Sequence, residues 1–527
     1  MRLINTETML IEEFFGSDIP PYAILSHCWG DEEVSFQDIG RPRWQRMYGF
    51  IKIKFTCQQA KDDGFGYAWI DTCCIDKSSS AELSEAINSM YSWYSEATVC
   101  YVYLQDVIPS DSTEKSVRQL ENSRWFTRGW TLQELLASQT VKFYDGSWNI
   151  IGTKNRLHRQ LSRITQIPEI ILQYRTHLKS VGVAQRMSWA ANRRTTRVED
   201  MAYCLLGLFD VNMPLLYGEG ERAFIRLQEE ILKVSDDQSL FAWVSPKVPP
   251  KVLPNYGVLA RSPTAFQYAR DIVPIPSKHE THLYSMTNKG LSIQLPMLFR
   301  GDEVIGLLDC RRKGDISSVL GIGLLRTSSP SIFERDPDAK LEHYTPEEVA
   351  EATPHTIYIR GNQSLNAPWD FYMTFILRNI DLNGEKHDYS FSKAASILSE
   401  WEGNTNMVRT AWNRELSRCR LAFTLYDAKS GHTWLIMLIV HTRRDGTLRH
   451  FTRTAVLLPD IETVEKWNDE HFSEAEHFCL QCWCSKKNLG IEIELTEEVV
   501  LNQKVIMVDV RMPSDESTLN VSRALYT

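Results

Sequence analysis

Along the first 150 residues, short apolar runs alternate with longer stretches of helical period. YAILSH (Tyr22–His27) breaks at the Gly-containing loop Cys28-Trp29-Gly30-Asp31, which marks a strand end. Phe50, Ile53, Cys57 and Ala60 then share one helix face, with Gly64 placed to stop the helix. YAWID (Tyr67–Asp71) predicts a second strand. After the loop TCCIDKSS, Ser79 and Glu82 form the S-x-x-E of a capping box, opening a helix buried through Leu83, Ala86, Ile87, Met90 and Tyr94. VCYVYL (Val99–Leu104) and VKFYD (Val141–Asp145) supply two more strands. Between them, Asn122–Ser138 (NSRWFTRGWTLQELLAS) reads as a helix entry. This alternation predicts a parallel, doubly wound sheet. Lys154–Leu172 and Val183–Val234 read as mainly helical. A capping box is expected at Thr196–Glu199, and Phe224, Leu227 and Ile231 lie on one apolar face.

Ser245–Pro254 holds four prolines, which remove amide donors and stop any helix, so the boundary is placed there: 1–244, a linker at 245–256, and 257–527. Beyond it the period becomes two, in Leu291–Leu295, Glu303–Leu308, Thr356–Arg360, Phe371–Leu377, Thr433–Val440, Gly490–Leu495 and Lys504–Val510. An antiparallel β-rich domain follows from that pattern.

The 527 residues are 43% hydrophobic and 24% charged, the balance of a folded chain. A net charge of −9 leaves no overall footprint for nucleic acid or anionic membrane. The acidic N-terminus argues against a signal peptide, and the run Trp434–Val440 falls far short of the ~20 residues a membrane span needs, so a soluble, cytoplasmic chain is expected. Eleven scattered cysteines predict no structural disulfides. His477–Cys484 is a metal-like cluster without a clear second ligand pair, so no metal is assigned.

Within Asn122–Ser138, Trp130 and Glu134 stand four residues apart on one helix face, while Leu132, Leu135 and Leu136 turn inward. A carboxylate against an indole is either a surface glutamate over a core tryptophan or a partly desolvated acid tuned to face a developing cation.

Four ordered blocks together resemble the fungal heterokaryon-incompatibility (HET) domain: Ala23–Ile39, Tyr67–Tyr94, Ser123–Ala137 and Ser188–Ile231. The resemblance covers roughly 1–243, and Gly257–Phe266 looks like the segment that commonly follows such a domain. HET domains are similar to TIR domains, which implies a flavodoxin-like (TIR-like) parallel sheet with added helices. In this comparison W-T-L-Q-E-L matches the TIR block W-C-x-x-E-L, with Thr131 where the block has cysteine. Many TIR domains cleave NAD at the nicotinamide–ribose bond, and the glutamate of that block is their catalytic residue; carried over, it is Glu134.

The chemistry of the residues agrees with this role. Nicotinamide departs already positively charged, so one carboxylate facing the ribosyl oxocarbenium ion suffices. Candidate substrate contacts are Ser26, His27, Trp29, Gly30 and Asp31 after the first strand and Asp71, Asp76 and Lys77 after the second, flanking the crevice at the strand ends. Arg124, Trp125 and Trp130 join them from the helix entry, with the tryptophans offering stacking faces for nicotinamide or adenine. His27 is either held by backbone partners or available to a ligand, Asp71 either caps a loop or meets substrate, and Arg124 and Arg128 either bind phosphates or stay solvated. NAD is expected as substrate, with no resident cofactor. The resemblance also implies a homo-oligomer on activation, an upstream recognition protein and regulated cell death. The alternative is a non-enzymatic TIR-like adaptor that signals by self-assembly, with Asp76–Glu82 as an interface.

Overall fold

The computed structural model describes residues 1–109, 118–245, 257–276, 284–301, 303–327, 329–336 and 339–360 and, beyond 360, the nine strands of a further sheet. The 245–256 linker, apart from Ser245, and the His477–Cys484 cluster lie outside the described residues. Two compact units form: Met1–Leu324 with Arg335–Asn362, and Leu325–Glu334 with Gln363–Thr527. The first therefore takes in strands from beyond the expected linker.

In the first unit a seven-stranded sheet is built from β1 (Arg2–Asn5), β2 (Ile11–Glu13), β3 (Tyr22–His27), β4 (Tyr67–Trp69), β5 (Val99–Tyr103), β6 (Val141–Tyr144) and β7 (Ile150–Thr153). Its order is β2-β1-β4-β3-β5-β6-β7. The four expected strands, β3 to β6, pair in parallel, while β1, β2 and β7 add antiparallel edges, so the sheet is mixed. β3 and β5 are buried at every position, which is why β5 reads as a continuous apolar run and β3 shows no alternation before the buried Ser26 and His27 at its end. Fully burying a side chain such as Ile24 or Leu25 stabilises the fold by about 1.5–3 kcal/mol.

Helices α1 (Phe50–Asp62), α2 (Ser80–Glu96), α3 (Thr131–Ala137), α4 (His158–Thr165), α5 (Glu169–Gln173), α6 (Val183–Ser188), α7 (Asp200–Tyr203), α8 (Leu206–Phe209) and α9 (Arg222–Val234) follow or flank the strands. α1 ends at Gly64, whose φ of 86° is the left-handed turn that glycine adopts without a Cβ clash. Ser79 caps α2 by accepting the Glu82 amide at 3.3 Å, but the Glu82 carboxylate takes the Asp76 amide at 2.8 Å and Arg2 in place of the reciprocal bond. The box expected at Thr196–Glu199 does not form either. Glu199 is itself the N-cap of α7, and its carboxylate accepts the Gly218 and Gly220 amides at 2.8 and 3.0 Å, bracing a distant turn.

Also in this unit, Gly290–Arg300 pairs antiparallel with Glu303–Leu308 and Thr353–Ile359. In the second unit Arg418–Asp427, Thr433–Thr442 and Leu448–Leu458 form an antiparallel meander, and Glu492–Val500 pairs with Gln503–Arg511 as a hairpin. Each of the seven segments of period two falls on a strand over its described residues, apart from Arg360, which lies just past its strand. One pairing departs from the antiparallel expectation: Tyr372–Asn379 runs parallel to Gln503–Arg511, a register that only chain-distant strands can adopt.

Candidate active site

The C-terminal ends of β3 and β4, the inner face of α2 and the approach to α3 enclose a cavity of about 610 Å³. His27, Cys28 and Trp29 reach it from the loop after β3, and Asp71, Ile75 and Lys77 from the loop after β4. Leu83, Ile87 and Met90 of α2 give it an apolar wall. Arg124, Thr127, Arg128, Trp130 and Glu134 line a third side. A fourth comes from Arg194–Arg197 with Asp200 and Tyr217.

Glu134 reaches this cavity yet is only 7% exposed. The fully buried Ser26 donates its hydroxyl to Glu134 Oε2, and Trp125 Nε1 donates to Ser26 Oγ at 2.8 Å. This relay fixes the carboxylate from beneath. Burial pushes the Glu134 carboxyl up to about 8, against the Ser26 hydrogen bond, with Asp71 raising it further and Arg128 and Arg193 pulling it down. Thr131 pins the turn ahead: its hydroxyl donates to the Trp125 carbonyl at 2.6 Å and accepts from buried Arg193 at 3.0 Å. Burial lowers the Arg193 guanidinium to about 10.

Across the cavity, Asp71 Oδ1 lies 2.9 Å from His27 Nε2 and Oδ2 accepts Trp29 Nε1 at 2.7 Å. Burial opposes charge on Asp71, but the His27 and Trp29 hydrogen bonds and the Lys77 ammonium hold its carboxyl well below the usual range. With Asp71 ionised, His27 Nε2 is the donor of that bond, and among the described residues His27 Nδ1 has no hydrogen-bond partner. Lys77 Nζ sits 3.6 Å from the Trp29 ring centroid, with burial lowering its pKa. Asp71 thus positions a histidine and a tryptophan. Trp130 and Tyr217 similarly hold Asp200, whose carboxyl burial raises; the Tyr217 hydroxyl donates at 3.0 Å.

Of the candidates from sequence, His27, Trp29, Asp71, Lys77, Arg124, Arg128, Trp130 and Glu134 line the cavity. Ser26 and Trp125 lie fully buried beneath Glu134, so the Trp125 ring is sealed in the core and offers no stacking face. Asp31 is exposed and off the cavity wall, and Asp76 serves its own loop by accepting from Ser78 and Gln37. Gly30 donates to Glu33 Oε1 at 2.6 Å, and Glu33 pairs with buried Lys52, which donates to the Cys28 carbonyl at 3.0 Å. This pair shapes the first loop, and sequence reading missed it. Arg193, Arg194, Arg197, Asp200 and Tyr217 were also missed as site residues. The compact basic run RRTTR (Arg193–Arg197) was the available signal.

That basic run is brought in by a single parallel bridge between Arg128 and Arg194 beside Gly129. A Cβ at Gly129 would meet Thr195 Cγ2 at 2.6 Å and Cys204 Sγ at 3.1 Å. Gly129→Ala is therefore expected to cost about 1–3 kcal/mol by overpacking, measured as a drop in the denaturant midpoint at constant m. An unchanged midpoint would mean the two segments are not packed this closely.

A profile of the family "Heterokaryon incompatibility protein (HET)" matches residues 22–119, and a domain of unknown function matches 222–256. The chain is similar to the vegetative incompatibility protein HET-E-1 of Podospora anserina, with 49% identity over 222 residues. The matched region is 41% of this chain and 16% of that relative. No solved structure matches.

Proposed function

We propose that the first unit is a TIR-like NAD glycohydrolase and that the protein is an effector of fungal non-self recognition. In this reading assembly of several copies activates cleavage at the nicotinamide–ribose bond, and NAD depletion leads to regulated cell death. The observation that carries the enzymatic part is Glu134: a nearly desolvated carboxylate, held from beneath by Ser26, on the wall of a cavity large enough for a nucleotide. Further support comes from the parallel strands. Numbered by chain order they lie second, first, third, fourth, as in the flavodoxin-like order, with the cavity outside their carboxyl ends. The HET match and the likeness to HET-E-1 support the incompatibility role.

Mechanistically, Glu134 in its charged form faces the ribosyl cation that forms as nicotinamide leaves. Trp29 and Trp130 offer aromatic faces, and the α2 wall takes an apolar base edge. The His27–Asp71 pair stands where it can orient a ribose hydroxyl or the attacking water.

Only ionised Glu134 does this work, and its carboxyl titrates near 8. Hence kcat/KM is expected to rise about tenfold per pH unit below that value and to level off above it. The test is nicotinamide release from NAD by purified protein, at rising protein concentration to promote assembly, across pH 6 to 9. Release with this profile supports the reading. No release from demonstrably oligomeric protein would sink it in favour of a scaffold.

A further inference from the structure

The bridge between Arg128 and Arg194 does more than join two segments. Arg194 N donates to the Thr127 carbonyl at 2.7 Å, and Gly129 N donates to the Arg194 carbonyl at 2.9 Å. Residues opposite one another in such a ladder carry their side chains on the same face, with backbones ~5 Å apart. Both arginines line the cavity from facing positions of this bridge.

Among the described residues neither guanidinium has a hydrogen bond or an ion pair. The carboxylates of the cavity are engaged elsewhere: Asp71 by His27 and Trp29, Asp200 by Tyr217 and Trp130, and Glu134 by Ser26. Arg128 is near enough for its charge to act on Glu134. A guanidinium presents a planar fork that matches phosphate oxygens, and two forks about one ladder spacing apart suit two linked phosphates better than one.

We infer that Arg128 and Arg194 form a clamp for the diphosphate bridge of a dinucleotide, setting the distance at which Glu134 meets the ribose. This inference rests on the dinucleotide reading of the cavity, but it assigns a separate task to separate residues. It also makes the cavity selective for diphosphate-bridged ligands over plain nucleosides.

The experiment measures binding apart from cleavage, because ADP-ribose carries the diphosphate but no nicotinamide bond to break. Titration calorimetry would compare ADP-ribose and adenosine on wild type, Arg128→Gln, Arg194→Gln and Arg194→Lys, with circular dichroism confirming that each is folded. ADP-ribose affinity should fall roughly tenfold to a hundredfold in each Gln variant, as expected for losing hydrogen bonds to a charged group. Arg194→Lys should recover part of the loss, and adenosine affinity should not change. The clamp is wrong if wild type does not bind ADP-ribose, if both Gln variants bind it like wild type, or if adenosine affinity falls in parallel. NAD turnover separates the two claims. Arginine-dependent ADP-ribose binding without cleavage keeps the clamp and removes the hydrolase, whereas cleavage with an unchanged KM in both Gln variants does the reverse.

Discussion

Glu134→Gln should abolish NAD cleavage, lowering kcat by about a thousandfold or more, while making the folded protein more stable at alkaline pH. The first effect follows because a neutral amide of the same shape cannot balance the ribosyl cation. The second follows from linkage. The Glu134 carboxyl is raised to about 8 in the fold by burial, so the unfolded chain gives up this proton first. Stability therefore falls as pH climbs from the ordinary carboxylate range to about 8 and changes no further above it. Glutamine carries no such penalty, and its carbonyl still accepts from Ser26. Thermal unfolding at pH 5 and pH 8.5 checks this: the melting temperatures should nearly coincide at the lower pH, with the variant ahead at the higher. A variant less stable at both would mean that Glu134 is a structural residue. A stable variant that still cleaves NAD would remove it from the chemistry.

Trp125→Ala should be the most damaging single change in the first unit, at about 3–5 kcal/mol. The indole is fully buried, packs edge-on against Phe126 and Phe143 with centroids 4.9 and 5.9 Å away, and supplies the donor that seats Ser26 under Glu134. Trp125→Phe keeps most of the volume and removes the donor, so it should cost less, about 1–2 kcal/mol. A denaturant series on both variants separates packing from hydrogen bonding. Equal losses would mean that the hydrogen bond to Ser26, rather than the ring, holds this corner together.

Trp125 also illustrates why part of the site was illegible in sequence. Three tryptophans, Trp29, Trp125 and Trp130, stood at plausible stacking positions, and nothing in local pattern separates a ring that faces a cavity from one that faces the core. Burial decides it: Trp29 is 44% exposed, Trp130 half-buried and Trp125 sealed. Likewise the S-x-x-E at Ser79 and the T-x-x-E at Thr196 looked alike, yet Ser79 caps its helix and Glu199 turns to the glycine amides at 218 and 220. A capping box competes with every other donor in reach, and those donors come from far along the chain.

The alternation of apolar runs and helical periods was enough to place β3 to β6, because a strand buried on both faces is apolar over most of its length and a covering helix has to carry an apolar stripe. Period two was enough to place seven strands of the β-rich region for the same reason. Glu134 could be singled out as a candidate in sequence as well, since a carboxylate four residues from an indole is a local arrangement. Left to tertiary structure were the antiparallel edges of the first sheet, the Trp125–Ser26–Glu134 relay, the Lys52–Glu33 pair behind the first loop and the delivery of Arg194 to Arg128. Each joins residues distant in the chain through a hydrogen bond or a backbone bridge. Such contacts depend on direction and separation in space, which local periodicity does not encode.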